Sequence, residues 1–131
     1  MICTDTSSVV AYIRGDRGPD VEVVDRALAD YSLVLASITV SELFSDPLLT
    51  PSLEEFILGI QQLEIKPGYW ERAGKLRAGL MRHGYRPKIA DTLIAQSCLD
   101  HSVPLITRDQ DFAPFQKFAR LRLLAIGDLL Q

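Results

Sequence analysis

The stretch Ile89-Ala-Asp-Thr-Leu-Ile-Ala-Gln-Ser-Cys-Leu-Asp-His-Ser-Val-Pro-Leu-Ile-Thr-Arg-Asp-Gln-Asp-Phe112 decides the fold. It reads as a helix, a short turn at Asp100-His101-Ser102, a strand over Val103–Thr107, and a sharp acidic turn. At 100° per residue, Ile94, Ala95 and Cys98 fall within about 60° of Asp91, so a carboxylate heads an otherwise apolar, core-facing stripe. Such a group is costly to bury unless something pairs with it. The strand then delivers Asp109 and Asp111 at its carboxyl end, where open α/β sheets place their ligand sites. Carboxylates gathered there, with no lysine of their own to pair with, point to a divalent cation.

Upstream, the same alternation of strand and helix recurs. Met1–Thr4 is a short apolar strand ending at Asp5, and Thr6-Ser7-Ser8 are helix-start residues. After a loop at Arg14–Pro19, Val21–Tyr31 has Val21, Val24, Ala27, Leu28 and Tyr31 at helical spacing. Leu33–Ala36 is a wholly apolar strand, as expected when both faces are covered. Ser37 or Thr39 opens the next helix, which Asp46-Pro47 ends, and Pro51-Ser52 opens another. Leu63–Ile65 is a weak third strand closed by Pro67-Gly68. Tyr69–His83 is a long helix stopped by Gly84. A last strand is expected at Leu121–Ile126. Strands separated by helices predict a parallel sheet with helices on both faces, an α/β fold.

At 131 residues the chain fits one domain, 1–131, with a real core. With 47% hydrophobic and 24% charged residues, its composition is that of a soluble globular protein. No secretory leader or membrane span is expected. Cys3 and Cys98, both in apolar contexts, suit buried free thiols in a reducing cytoplasm rather than a disulfide or zinc site. A net charge of −3 argues against a general nucleic-acid coat protein. The charge is unevenly spread: residues 1–65 hold 11 acids and 3 bases, residues 66–131 hold 6 acids and 11 bases. Arg72, Lys75, Arg77, Arg82, Arg86 and Lys88 follow one another with no acid between them. They form either a solvated helix face or a patch for phosphates or an acidic partner.

Four carboxylates occupy places that this topology brings together: Asp5 after the first strand, Glu42 in the helix after the second, Asp91, and Asp109. Hard cations such as Mg²⁺ or Mn²⁺ take oxygen ligands and bind through a few carboxylates plus substrate phosphates. Each acid also has a simpler reading. Asp5 could cap the first helix, Glu42 completes a Thr39-x-x-Glu capping box, and Asp109 and Asp111 could be turn formers. Asp91 could favour the helix dipole in a first turn.

Asp5-Thr-Ser, Ser41-Glu42-Leu43, Ile89-Ala90-Asp91-Thr-Leu-Ile-Ala95 and Thr107-Arg-Asp109-Gln-Asp111-Phe112 resemble, in order and spacing, the signature segments of PIN-domain nucleases. Length and the helix-rich middle look like the VapC-type toxins of toxin–antitoxin pairs. The resemblance covers nearly the whole chain and is most specific from Asp91 and from Thr107. It implies a three-layer α/β/α PIN-like fold with a central parallel sheet of four to five strands. It carries the family's acidic quartet onto Asp5, Glu42, Asp91 and Asp109, with Asp5, Asp91 and Asp109 as metal ligands. Asp111, Thr107 and Thr6 match accessory positions. It further implies a cytoplasmic Mg²⁺- or Mn²⁺-dependent endoribonuclease, usually a homodimer, silenced by a VapB-type antitoxin. A receiver-type phosphate-signalling module shares the sheet but needs an acidic pair after the first strand, where Asp5 stands alone. A binding or regulatory module without catalysis is the other alternative, and metal-dependent RNA cleavage separates it from the nuclease.

Overall fold

The computed structural model describes residues 1–124. Strands β1 (Ile2–Thr4), β2 (Leu33–Leu35), β3 (Gln61–Gln62) and β4 (Leu105–Ile106) form one all-parallel sheet in the order β3-β2-β1-β4. Cys3 at its centre is in register with Val34 on one side and Leu105 on the other. Parallel neighbours need crossovers. The helices are α1 (Thr6–Ile13), α2 (Pro19–Ala29), α3 (Ser37–Phe44), α4 (Pro51–Leu58), α5 (Tyr69–Arg82), α6 (Ile89–His101) and α7 (Ala113–Ala119). A 3-10 turn at Gln110–Phe112 precedes α7.

Side chains alternate across a strand, so each face of the sheet has its own core. Cys3, Val34 and Leu105 pack with Leu80 of α5, Ile94, Ala95 and Cys98 of α6, and Phe115 of α7. Leu33, Leu35 and Ile106 pack with Val9 of α1, Val23, Val24 and Ala27 of α2, and Ile57 of α4. That alternation makes the three-layer α/β/α sandwich. Both cysteines are buried free thiols, and the contact with Cys3, reinforced by burial, pushes the Cys98 thiol well up. Among the described residues no helix is long and apolar enough to cross a membrane.

Topology places the site. From β1 the chain winds outward through β2 to β3, then returns to lay β4 on the other side of β1. Strand order therefore reverses between β1 and β4, and ligands bind outside the carboxyl ends of strands at such a point. Asp5 follows β1 and Thr107 follows β4.

Several local expectations are corrected. The stripe expected on α6 is an all-round burial: Thr92 through Cys98 are seven consecutive buried residues, because α3 and α5 flank this helix against the sheet. The weak third strand lies at Gln61–Gln62 rather than Leu63–Ile65. It is an exposed edge strand, so backbone pairing with β2 rather than apolar content places it. Helix α2 starts at Pro19, whose fixed φ suits a first turn, and ends at Ala29. Tyr31 takes a left-handed φ of 56° and is 94% exposed, and the buried apolar residues of α2 are Val23, Val24 and Ala27. The strand expected over Val103–Thr107 narrows to Leu105–Ile106. Of the strand expected at Leu121–Ile126, the structure has a parallel bridge between Leu105 and Leu123, and residues 125 and 126 lie outside the described residues.

Candidate metal centre

The chain leaves β1 at Asp5 in an extended conformation and enters α1, so Asp5 stands at the helix N-cap. Its Oδ1 accepts from the Ser8 backbone N–H at 3.3 Å, and its Oδ2 from the hydroxyls of Ser7 at 2.7 Å and Thr107 at 2.8 Å. The cap reading and the site reading of Asp5 are one arrangement, since Thr107 comes from the end of β4, 102 residues away. Asp5 is 4% exposed, and burial pushes its carboxyl up. The three hydrogen bonds work against that, while the charge of Asp109 adds to it.

Thr107 links the two strand ends. Its Oγ1 donates to Asp5 and accepts from the Asp109 backbone N–H at 3.0 Å. Asp109 in turn caps the 3-10 turn, its Oδ1 accepting from the Asp111 N–H at 2.9 Å. An Asx-type turn of this kind aims Asp109 and Asp111 together, so the turn-forming role and the clustering have one geometric cause.

Asp91 lies in the first turn of α6, facing that turn. One carboxylate oxygen from each of Asp91, Asp109 and Asp111 lies within 4.8 Å of the others. Burial first, then the charge of Asp109, pushes Asp91 up to about 6; Glu42 and Asp111 add to the rise and Lys88 opposes it. Oxygen ligands stand about 2.0–2.6 Å from a hard dication, so two ligands of one ion are at most about 4–5 Å apart. The donor set and its spacing fit Mg²⁺ or Mn²⁺. The clustered trio contains Asp111, read from the sequence as accessory, and does not contain Asp5, which stands one hydrogen-bonded hydroxyl away.

Glu42 does not complete a capping box. Ala36 occupies the cap position of α3, and the Thr39 hydroxyl is buried with no hydrogen-bond partner among the described residues. Glu42 Oε1 accepts instead from the Thr6 hydroxyl at 2.7 Å, holding it at the rim where its charge reaches Asp91. The basic stretch divides. Arg72 grips Asp100 of α6 through Nε at 3.0 Å and Nη2 at 2.6 Å, and Arg77 Nε donates to the Pro87 carbonyl at 2.8 Å. Lys75 and Arg82 are exposed on α5. Arg86 and Lys88 line a notch of about 240 Å³ together with Tyr85, Asp91, Gln110 and Asp111. Two of the six cations thus border the acidic trio, and two serve internal contacts. Asp20 and Arg108, not expected as site residues from the sequence, form an ion pair at 2.8 Å next to Thr107 and Asp109. No local spacing signals the pair, because its two members lie 88 residues apart in the chain.

An all-parallel α/β sheet with a carboxylate centre at its reversal point defines the class of this protein. It belongs to the PIN domain family, whose description matches residues 2–120. No curated protein sequence matches the chain. Among solved structures it is similar to FitAcB from Neisseria gonorrhoeae at 21% identity, covering 97% of this chain and 99% of that one with a TM-score of 0.69. It is similar to VapBC2 from Rickettsia felis, bound to a promoter DNA fragment, at 19% identity, covering 95% and 98% with a TM-score of 0.73. VapBC-5 from Mycobacterium tuberculosis, a member of the VapBC family of toxin–antitoxin systems, matches at 23% identity, covering 70% and 80% with a TM-score of 0.59.

Proposed function

We propose that this protein is a metal-dependent endoribonuclease and the toxin of a toxin–antitoxin pair. The observation that carries the reading is the convergence of Asp91, Asp109 and Asp111 within 4.8 Å in a chain of the PIN domain family. The likeness in fold to VapBC-5 and to FitAcB supports the toxin assignment and a cognate VapB-type antitoxin. A homodimer acting in the cytoplasm completes the reading.

Asp91, Asp109 and Asp111 would hold Mg²⁺ or Mn²⁺, with Asp5 fixing the Thr107–Asp109 turn through the Thr107 hydroxyl. Bound there, such a cation stabilises charge on phosphate oxygens and lowers the pKa of coordinated water. The remaining tasks fall to the chain. Arg86 and Lys88, at the mouth of the notch, hold the phosphate backbone and offset the repulsion between an anionic substrate and the acids. Glu42 keeps one carboxylate oxygen on Thr6 and offers the other to orient a water or take its proton.

The test is cleavage of single-stranded RNA and DNA oligonucleotides by the purified chain in Mg²⁺, Mn²⁺ or EDTA. Metal-dependent RNA cleavage is expected, with loss of about 100-fold or more for Asp91→Asn and Asp109→Asn, each of which removes an anionic ligand. Cleavage that persists in EDTA or in Asp91→Asn overturns the metal mechanism, and preference for DNA overturns the substrate assignment. Growth arrest relieved by co-expression of a neighbouring short reading frame tests the toxin role.

A further inference from the structure

Behind the acidic turn lies a second charged group that the proposed chemistry does not use. Arg108 Nε donates to Asp20 Oδ2 at 2.8 Å and Nη2 to Asp20 Oδ1 at 3.0 Å, a two-pronged pair. Nη2 also meets the Arg17 carbonyl at 3.3 Å, and the Ser8 hydroxyl donates to Asp20 Oδ2 at 2.8 Å. Asp20 is 7% exposed. The chain makes room for the pair at Gly18, whose φ is +154°. A Cβ there would lie 2.7 Å from Asp20 Oδ1 and 3.0 Å from Arg108 Nη2. A side chain at that position would push the two groups apart, so the pair is built into the loop before α2.

Its place in the sequence gives it a task. Arg108 stands between Thr107, which reaches Asp5, and Asp109, which joins the acidic trio. Thr107 and Arg108 reach different partners, Asp5 and Asp20, so the turn is held at two points. Thr107 ties it to β1 and α1, and Arg108 ties it to the first turn of α2. Ser8 closes the circuit, since its backbone N–H caps Asp5 and its hydroxyl holds Asp20.

We propose that the Arg108–Asp20 pair is a clamp that sets the Thr107–Asp111 turn in metal-binding geometry, making both residues positioning residues for the centre. The proposal rests on the metal-site reading above. It can be told from a simple charge effect by sign. Removing the cation of Arg108 leaves Asp20 negative and raises the local negative potential, which by charge alone would tighten binding of a dication. Losing the clamp loosens Asp109 and Asp111 and weakens it. Partners that orient metal ligands are worth roughly 10–100-fold in metal affinity.

The experiment is Mn²⁺ titration of the full chain by calorimetry, with amide exchange at Asp109 and Asp111 followed in parallel. Expected for Arg108→Gln and Asp20→Asn is Mn²⁺ affinity weaker by about tenfold, with faster exchange at both amides. Arg108→Lys keeps the charge but cannot form the two-pronged pair, so it should also weaken binding, and it serves if the Gln form does not fold. Affinity in Arg108→Gln equal to or tighter than wild type overturns the clamp and leaves the metal site standing. Absence of Mn²⁺ binding by the wild type removes the metal-site reading and the clamp with it.

Discussion

Replacing Asp91 by Asn removes a charge that the metal-free fold holds at a cost. Burial, followed by the neighbouring charge of Asp109, moves this carboxyl from 3.8 to about 6. The raised value means that the folded chain keeps the proton where the unfolded chain has released it. Metal-free stability therefore falls as pH rises from about 4 to 6 and is level above that, as far as Asp91 is concerned. At about 1.4 kcal/mol per unit, the ionised form costs the fold at most about 3 kcal/mol at pH 7–8. Asn keeps the shape without the charge, so in EDTA the variant should melt higher, by up to about 10 °C. Metal reverses the ranking, because binding to the folded state adds about 2–3 kcal/mol at a hundred times the dissociation constant and Asn supplies a poorer ligand. Melting curves of both proteins in EDTA and in millimolar Mn²⁺, at pH 5 and pH 8, provide the assay. A variant no more stable than wild type in EDTA at pH 8, with neither protein responding to Mn²⁺, would refute the reasoning and return Asp91 to a helix-start role.

Other consequences are separately measurable. Arg86→Glu with Lys88→Glu should flatten the salt dependence of RNA binding by about 0.7 per lost phosphate contact, read by fluorescence anisotropy. Arg72→Gln should leave that slope unchanged, because its guanidinium is already held by Asp100. Burial alone would raise Asp100, but Arg72 and Gln96 outweigh it and hold the carboxyl below its ordinary value. Its stabilising contribution is thus present above about pH 4 and lost as pH falls through the lowered value. Asp100→Asn should cost about 1–3 kcal/mol in urea unfolding at pH 7, and a neutral result would show that the contact between α5 and α6 is dispensable. Thr39→Val replaces a buried hydroxyl that has no partner among the described residues by a methyl group of similar shape, so stability should hold or rise by about 1 kcal/mol. A clear loss of stability would mean that the hydroxyl is paired in solution.

Much of the architecture is set by local pattern. Apolar runs at Ile2–Thr4 and Leu33–Leu35, separated by helix-start residues and turn signals, dictate covered parallel strands. Strand alternation then assigns Cys3 and Val34 to one core and Leu33 and Leu35 to the other. The acids were legible as well, because polar residues at strand ends in such a fold stand at the sheet's functional edge. Three things were not. Edge strand β3 carries two exposed glutamines, and only the free edge of β2 makes it a strand. The burial of α6 on all sides depends on which helices flank it, which spacing along one helix cannot state. The division of labour among like residues is also a matter of distance. Asp111 rather than Asp5 joins the clustered trio, Arg72 and Arg77 bond to Asp100 and Pro87 while Arg86 and Lys88 border the notch, and Arg108 finds Asp20 across 88 residues. Sequence by itself determined which side chains could serve and which end of the sheet they reach, since backbone periodicity is local. Only the tertiary structure decided which of them meet, because hydrogen bonds and ion pairs act over a few ångströms between segments far apart in the chain.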